Sequence, residues 1–590
     1  MPSWRKPFSK RDVDHSVSAV EEPEVSDGSL RYIQVDQAGN GSDPTYQEVT
    51  GAPVEVDSPL GYDVGPVTII FLNVSMMIAS TILKGVGSVG LSMIYWALGF
   101  VTSITSFSVY LEFASYFSNR SGSEVVYLEQ AYPRPKWLFP TAFAFQTIVL
   151  SFSSGNSIVL AEYLFATSGS TYTPWQLKGV AVAGYTIATL LVMANTKFSY
   201  WFSNGVGIVK VLTLVFISIT GLVVLGGHTR VENPLVNFQN PFEGKATAYG
   251  LTNSLYKIIF SYAGYTNAFN VVNEVKNPIK QIRRNGFISL SVVTALYILA
   301  NIAYFAAGKF TTTPIDLAAA KQIAASLFLE NVFGTGRAVR GLNFLVALSS
   351  FGNLLAVLLG QSRVIRECGR QGVLPWPRFW ASTKPLGTPL GPYFVKWLLT
   401  IIMILAPPAG DAFNFITDLQ VYPSAFFSLM LSIGLYLVRW RRSRLNLPRP
   451  TFRTWDPVVI FTILLNVFLM VMPWYPPDGG PYAGDVSFWY ATYVVTGIGI
   501  ILGCVLYYWL WVWAIPRTRG YRIRQEVLSF GAGAQSHRLT KVPVGELDTW
   551  DRTHDAVGRA VGVSPVGTDD GQESEVKGAR EVVAAEKSAA

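Results

Sequence analysis

An all-α polytopic membrane protein with about twelve transmembrane helices is the fold class this sequence predicts, on three observations. Half of the 590 residues are apolar and only 14% are charged. Aromatic residues are abundant, with 36 Phe, 28 Tyr and 16 Trp. The apolar residues also gather into runs near the roughly 20 residues that a helix needs to cross the hydrocarbon core. A soluble chain would instead disperse them as amphipathic stripes.

Taken in order, the first sixty residues are polar, rich in Ser, Gly, Glu and Asp, and carry no helix-period apolar stripe. They cannot bury enough surface to offset the entropy of ordering, so 1–60 is expected to be a disordered tail without a cleavable leader. The spans are then expected at Val64 to Leu83, Val89 to Phe113, Phe139 to Phe165, Trp175 to Asn195, Trp201 to Leu225 and Leu251 to Val272. The second six follow at Gly286 to Ala307, Leu342 to Gln361, Pro389 to Leu405, Phe413 to Val438, Pro457 to Val471 and Trp489 to Trp511. The membrane domain is thus 61–514, and 515–590 reads as a second disordered tail.

Lys and Arg concentrate in the loops on the side of the N-terminal tail, which places both termini in the cytoplasm. The basic run "RWRRSR", Arg439 to Arg444, directly follows a span and reads as a topology anchor against anionic lipid. No nucleic-acid partner is expected. The stretch "LKGVGSVGLS" holds Gly85, Gly87 and Gly90 in a G-x-G-x-x-G spacing that elsewhere cradles a dinucleotide. A dinucleotide site needs a preceding buried strand, whereas here spans lie on both sides, and Glu112, at the usual offset of the acidic partner, lies across the bilayer. The glycines are therefore expected to form a tight turn or a packing segment.

Metal and enzyme chemistry find no support. The four His and two Cys show no metal-ligand spacing, and no nucleophile or phosphate-loop motif is present. No cofactor is expected, and the chain is not read as an enzyme.

Ionisable and irregular segments at membrane depth are costly unless they line a cavity, so they mark candidate sites. The sixth span, in "FSYAGYTNAFNVVNEVKNP", places Gly264, Tyr265, Thr266 and Asn267 mid-span and ends at Glu274. It is either broken to expose backbone groups or continuous with Gly264 used for close packing. Lys210 in "GVGIVKVLTLVF" has apolar neighbours on both sides and is either a proton-exchanging amine or a side chain snorkelling to the interface. The eighth span combines Ser349, Ser350, Gly352 and Asn353 with a basic exit, while Asn156, Glu162 and Asp418 are expected to make helix-to-helix hydrogen bonds.

Several stretches together resemble the amino acid, polyamine and organocation superfamily, and within it the fungal L-type transporters of the high-affinity methionine permease kind. They are "VGPVTIIFLNVSMMI", "GSVGLSMIYWALGF", "FSYAGYTNAFNVVNEVKNP", "ALSSFGNLLAVLLGQSRVIRECGRQGVLP" and "YPSAFFSLMLSIGLYLVRWR", covering roughly Gly61 to Arg444 in order. The resemblance implies an inverted repeat, spans one to five related to six to ten, with two peripheral spans. It implies a secondary active permease importing neutral L-amino acids such as methionine or cysteine, proton-coupled, in the plasma membrane.

Substrate would sit between broken first and sixth spans. The implied binding residues are Ile78, Ala79, Ser80, Phe260, Ser261, Tyr262, Ala263, Gly264, Tyr265 and Asn353. Lys210 matches the lysine that takes the place of a sodium ion in sodium-independent members, and it is expected to join the first and eighth spans near Ser349 and Ser350. Lys6 and Lys10 are expected ubiquitin acceptors.

One departure sets an alternative. Members normally carry a glycine-rich break like "MIGTGIFSTPSTIL", whereas "FLNVSMMIASTILKG" here lacks about eight residues of it. The first span is therefore expected to run as a largely unbroken helix, or with only a minor kink near Ile78 to Ser80, which also admits a non-transporting sensor or a defective paralogue.

Overall fold

The computed structural model describes residues 51–560 apart from 54–59, 61, 63, 78–81, 119, 230, 232, 308–323, 335, 407–411, 445–448, 485, 530–534 and 556. Lys6, Lys10, Ile78, Ala79 and Ser80 lie outside the described residues.

All twelve expected spans have a counterpart. Nine helices among the described residues are long and apolar enough to cross a membrane; the first and sixth spans are built from shorter pieces, and the ninth is a single shorter helix. The long ones begin on recognisable signals. Ser88 caps the second span, Val89–Tyr116, by accepting from Leu91 N at 3.3 Å. Thr173 and Gln176 form a reciprocal capping box on the fourth, Pro174–Ala194, whose first residue is a proline. Asn195 caps the fifth, Thr196–Leu225. The seventh, eighth and tenth spans are Pro278–Ala307, Arg337–Arg370 and Ala412–Arg444; the ninth is Leu390–Leu405, and the eleventh begins as Asp456–Val471. Exposed Trp201, Trp440, Trp455 and Trp513 ring the face that carries the tails, and Trp175, Trp474 and Tyr482 ring the opposite face. Two such amphipathic belts are what the two edges of a bilayer select.

Three spans are interrupted. The first runs as Pro66–Met76, leaves helical geometry at Met77 (φ −73°, ψ 128°) and resumes as Leu83–Val86. This corrects the expectation of a continuous first helix. The span has no glycine at the interruption, but the orphan carbonyls of its first half find side-chain partners, described below, that make an early stop affordable. The sixth is α-helical over Ala248–Tyr262 and 3₁₀ over Ala263–Glu274, with Val271 out of helical geometry. The kink at Val271 divides this tighter segment in two, so the winding changes at Ala263 and breaks again at Val271. The third divides into Leu138–Val149 and Ser154–Ser168, an interruption the sequence reading missed. Its "LSFSS" joint is rich in serine, which offers the backbone alternative hydrogen bonds: Ser151 Oγ donates to Ile148 O at 2.8 Å.

The glycine-rich stretch is a turn and packing segment, as expected. Gly87 caps Leu83–Val86 at φ +73°, and a Cβ on Gly85 would lie 2.6 Å from Gly250 O of the sixth span. Glu112 is fully buried, but its partner is Arg439, whose Nη2 lies 2.6 Å from Glu112 Oε2. The basic run thus begins inside the protein, as half of an ion pair, and is not solely a lipid anchor.

The C-terminal stretch departs most from expectation. Instead of a disordered chain from 515 onward, the twelfth span continues to Arg519, and strands β1 (Tyr521–Ser529) and β2 (Gln535–Pro543) pair antiparallel, Tyr521 opposite Pro543 and Ser529 opposite Gln535. A polar ribbon of two strands has no core of its own. Its support is the membrane domain: Arg370 Nε donates to Gln535 O at 2.7 Å, Ser536 Oγ donates to Arg370 O at 3.3 Å, and the His537 backbone packs on Gly372. Burial beside Lys136, Arg120 and Arg370 pushes the His537 imidazole well below its usual range, so the ring is neutral among cations. The end of the N-terminal tail is packed too, since Ala52 N donates to Glu129 Oε1 at 3.0 Å and Pro53 O accepts from Arg370.

Candidate functional site

The first half of the first span leaves its last carbonyls without intrahelical partners, and two side chains from other spans collect them. Lys210 Nζ donates to Ser75 O at 3.1 Å and to Met77 O at 2.5 Å. Asn353 Nδ2 donates to Ser75 O at 2.8 Å and Met76 O at 2.7 Å. An ammonium at this pole also matches the negative end of the helix dipole. Lys210 is 8% exposed and Asn353 fully buried, so these carbonyls are satisfied by protein and not by bulk water. Snorkelling is excluded for Lys210 because its head points to the middle of the first span.

The sixth span meets the first at the same depth. A Cβ on Gly264 would stand 2.4 Å from Asn73 O, 2.8 Å from Met77 Cγ and 3.1 Å from Met76 Cβ. Only glycine fits against the first span here, and it does so in a sixth span whose winding changes at Ala263: the close packing is present, the continuous helix is not. Asn267 Nδ2 donates to Leu72 O at 3.2 Å and Ala356 O at 3.0 Å, and Ala268 N donates to Asn73 Oδ1 at 3.2 Å. These buried hydrogen bonds from Asn267 Nδ2 and Ala268 N tie the sixth span to the first and the eighth.

Aromatic side chains surround the joint. Tyr262 Oη donates to Trp96 O at 3.2 Å, and Tyr297 Oη donates to Ser261 O at 3.1 Å. Tyr265 meets Phe107 and Tyr110 edge-on, at 6.3 and 6.0 Å between centroids. Phe260, Ala263 and Tyr265 are partly exposed, while Ser261, Tyr262 and Gly264 are buried. Asn156 Nδ2 donates to Asn353 Oδ1 at 2.6 Å, which connects the third span to the same joint.

The recorded hydrogen bonds of Lys210 run to the first span, while Ser350 Oγ donates to Val346 O at 3.2 Å along its own helix. Asn353, about one turn past Ser349 and Ser350, is an eighth-span donor to the first span.

Sequence reading also missed the cluster toward the tail face. Glu274 Oε1 lies 2.9 Å from Arg363 Nε, and both side chains are buried. Tyr200 Oη donates to Glu274 Oε2 at 3.0 Å, Arg363 Nη1 donates to Tyr393 Oη at 2.8 Å, and Val64 N donates to Glu274 O at 3.4 Å. The start of the first span and the end of the sixth are thereby tied to the fifth, eighth and ninth. Arg363 and Glu274 are 89 residues apart, and the carboxylate nearer in sequence, Glu367, is taken by Arg120 and Arg370, so nothing local signals the pairing.

The amino acid permease family model matches residues 64–501, most of the chain and all of the joint just described. The chain belongs to the amino acid permease family. It is 35% identical over 480 residues to the high-affinity methionine permease of Saccharomyces cerevisiae, covering 80% of this chain and 82% of that one. The low-affinity methionine permease of the same yeast is 23% identical, covering 80% and 86%. The b(0,+)-type amino acid transporter 1 of Mus musculus is 26% identical, covering 78% and 89%. As an amino acid permease, this integral membrane protein is a carrier and not an enzyme.

The contact at Gly264 carries an expectation of its own. Gly264→Val would force the two interruptions apart, an overpacking cost of about 1–3 kcal/mol, and is expected to lower amino acid uptake per surface molecule roughly tenfold or more. Uptake within about twofold of the native chain would show that the first and sixth spans tolerate separation here.

Proposed function

We propose that this permease imports neutral L-amino acids such as methionine or cysteine by proton-coupled, sodium-independent alternating access. The observation that carries the reading is the Lys210 ammonium on Ser75 O and Met77 O. A fixed cation already fills the carbonyl pole of the first span, so no free metal cation is needed to stabilise it.

The C-terminal end of the sixth span's α-helical half, at Tyr262, presents a negative pole at the same joint and suits a substrate ammonium. The resemblance assigns the substrate carboxylate to Ile78, Ala79 and Ser80, which lie outside the described residues. The aromatic surroundings of Phe260, Tyr262 and Tyr265 suit an uncharged side chain, and two relatives are methionine permeases. With the tails in the cytoplasm of a plasma-membrane protein, the Glu274–Arg363 cluster closes the cytoplasmic side and must open for release. The interruption of the first span at Met77 supports the transporting reading over the non-transporting one.

The test is uptake of labelled methionine by cells lacking their own permeases. Saturable uptake is expected, competed by cysteine, indifferent to replacing sodium with choline, and lost when a protonophore collapses the pH gradient. No saturable uptake from a surface-located protein would sink the transport reading. Uptake that requires sodium, or that survives the protonophore at full rate, would sink the coupling.

A further inference from the structure

The third span's interruption is built in the manner of the first. Between Leu138–Val149 and Ser154–Ser168 the chain leaves carbonyls that helix geometry does not use. Lys396 of the ninth span, fully buried, donates through Nζ to Ser151 O and to Gln361 Oε1 of the eighth span. Gln420 Nε2 of the tenth span donates to Leu150 O at 3.2 Å and Phe152 O at 3.0 Å, and Ser153 N donates to Thr400 Oγ1 at 3.1 Å.

A buried ammonium without a carboxylate partner is expensive, and a hydrophobic residue would serve simple packing better. Other charged groups on the elements packed around Lys396 are engaged elsewhere. Arg363 pairs with Glu274, Glu367 with Arg120 and Arg370, Arg366 donates to Ala381 O, and Lys178 donates to Leu405 O. Tyr393 on its own helix accepts from Arg363, and Tyr185 of the fourth span faces Ser153 and Thr400. Glu162 and Tyr163 lie toward the far end of the third span, and Arg378 is exposed on the short helix Pro377–Ala381.

The joint is linked to the substrate side. The half-helix that starts at Ser154 carries Asn156, which donates to Asn353, and Asn353 holds the first span's carbonyls. We propose that Lys396 is a second positioning residue for transport, a tethered cation whose charge fixes the third-span interruption and, through Asn156, sets Asn353 against the first span. The proposal rests on the transport reading above.

Two variants test it in permease-deficient cells, with surface level measured and labelled methionine as the probe. Lys396→Met is expected to raise KM about tenfold at unchanged surface level, because the charged donor is lost. Gln361→Glu leaves the lysine in place and gives it a carboxylate, which keeps the ammonium charged to higher pH. The alkaline limb of the uptake profile should therefore move to higher pH, a change that a purely structural role would not produce. Should Lys396→Met fail to reach the surface, Gln361→Glu decides alone. A native KM in Lys396→Met, or an unmoved alkaline limb in Gln361→Glu, overturns the proposal while leaving transport intact. A native chain that takes up nothing overturns both.

Discussion

Lys210→Met, at native surface abundance, is expected to take up methionine at about one hundredth of the native rate or less. Each charge-assisted hydrogen bond from the ammonium contributes about 1.5–3 kcal/mol, and two are removed, on Ser75 O and Met77 O. A loss of about 3 kcal/mol from the productive arrangement corresponds to roughly a hundredfold in rate. Met is apolar and close in length, so the packing of the fifth span should survive and the defect should appear in uptake before abundance. If the amine also carries the coupled proton, the residual uptake should no longer respond to a protonophore. Uptake near the native rate with unchanged protonophore sensitivity would reject both the cation-substitute and the proton-carrying roles.

Arg363→Met is expected to fail differently, at the level of the folded protein. It strands the Glu274 carboxylate, which is 0% exposed, with Tyr200 as its remaining side-chain donor. Removing one partner of a buried pair costs about 3–5 kcal/mol, a large share of the roughly 5–15 kcal/mol that holds a domain together. Surface abundance should fall severalfold and little uptake should remain. Adding Glu274→Gln to the same chain removes the stranded charge and should restore abundance in part, without restoring regulated closure of that side. Native abundance in the single variant, measured by surface labelling, would show that Glu274 finds another cation or water.

The spans were legible because bilayer thickness is written directly into run length and charge bias. Lys210, Asn353 and the Tyr262 to Tyr265 joint were legible because polar groups at membrane depth are costly and so stand out. The first-span interruption was misread because glycine was taken as its condition. In the fold, the stop at Met76 is stabilised from outside, by a lysine 133 residues and an asparagine 277 residues further along the chain. Lys396 was passed over for the same reason, since its acceptors on the third and eighth spans are distant in sequence. The β1–β2 ribbon was unreadable because the surface that stabilises it belongs to the eighth span and not to the ribbon.

Gly264 has a bearing on how such a pocket changes over generations. With the first span's backbone 2.4 Å from where its Cβ would stand, that position is closed to inherited variation, and so is any route to a new substrate that would enlarge or shrink it. Selection for a different amino acid must work through the neighbours that are only partly buried, Phe260, Ala263 and Tyr265. Lineages that keep this contact should therefore diverge in preference by exchanging those flanking side chains, while the crossing of the two spans stays frozen.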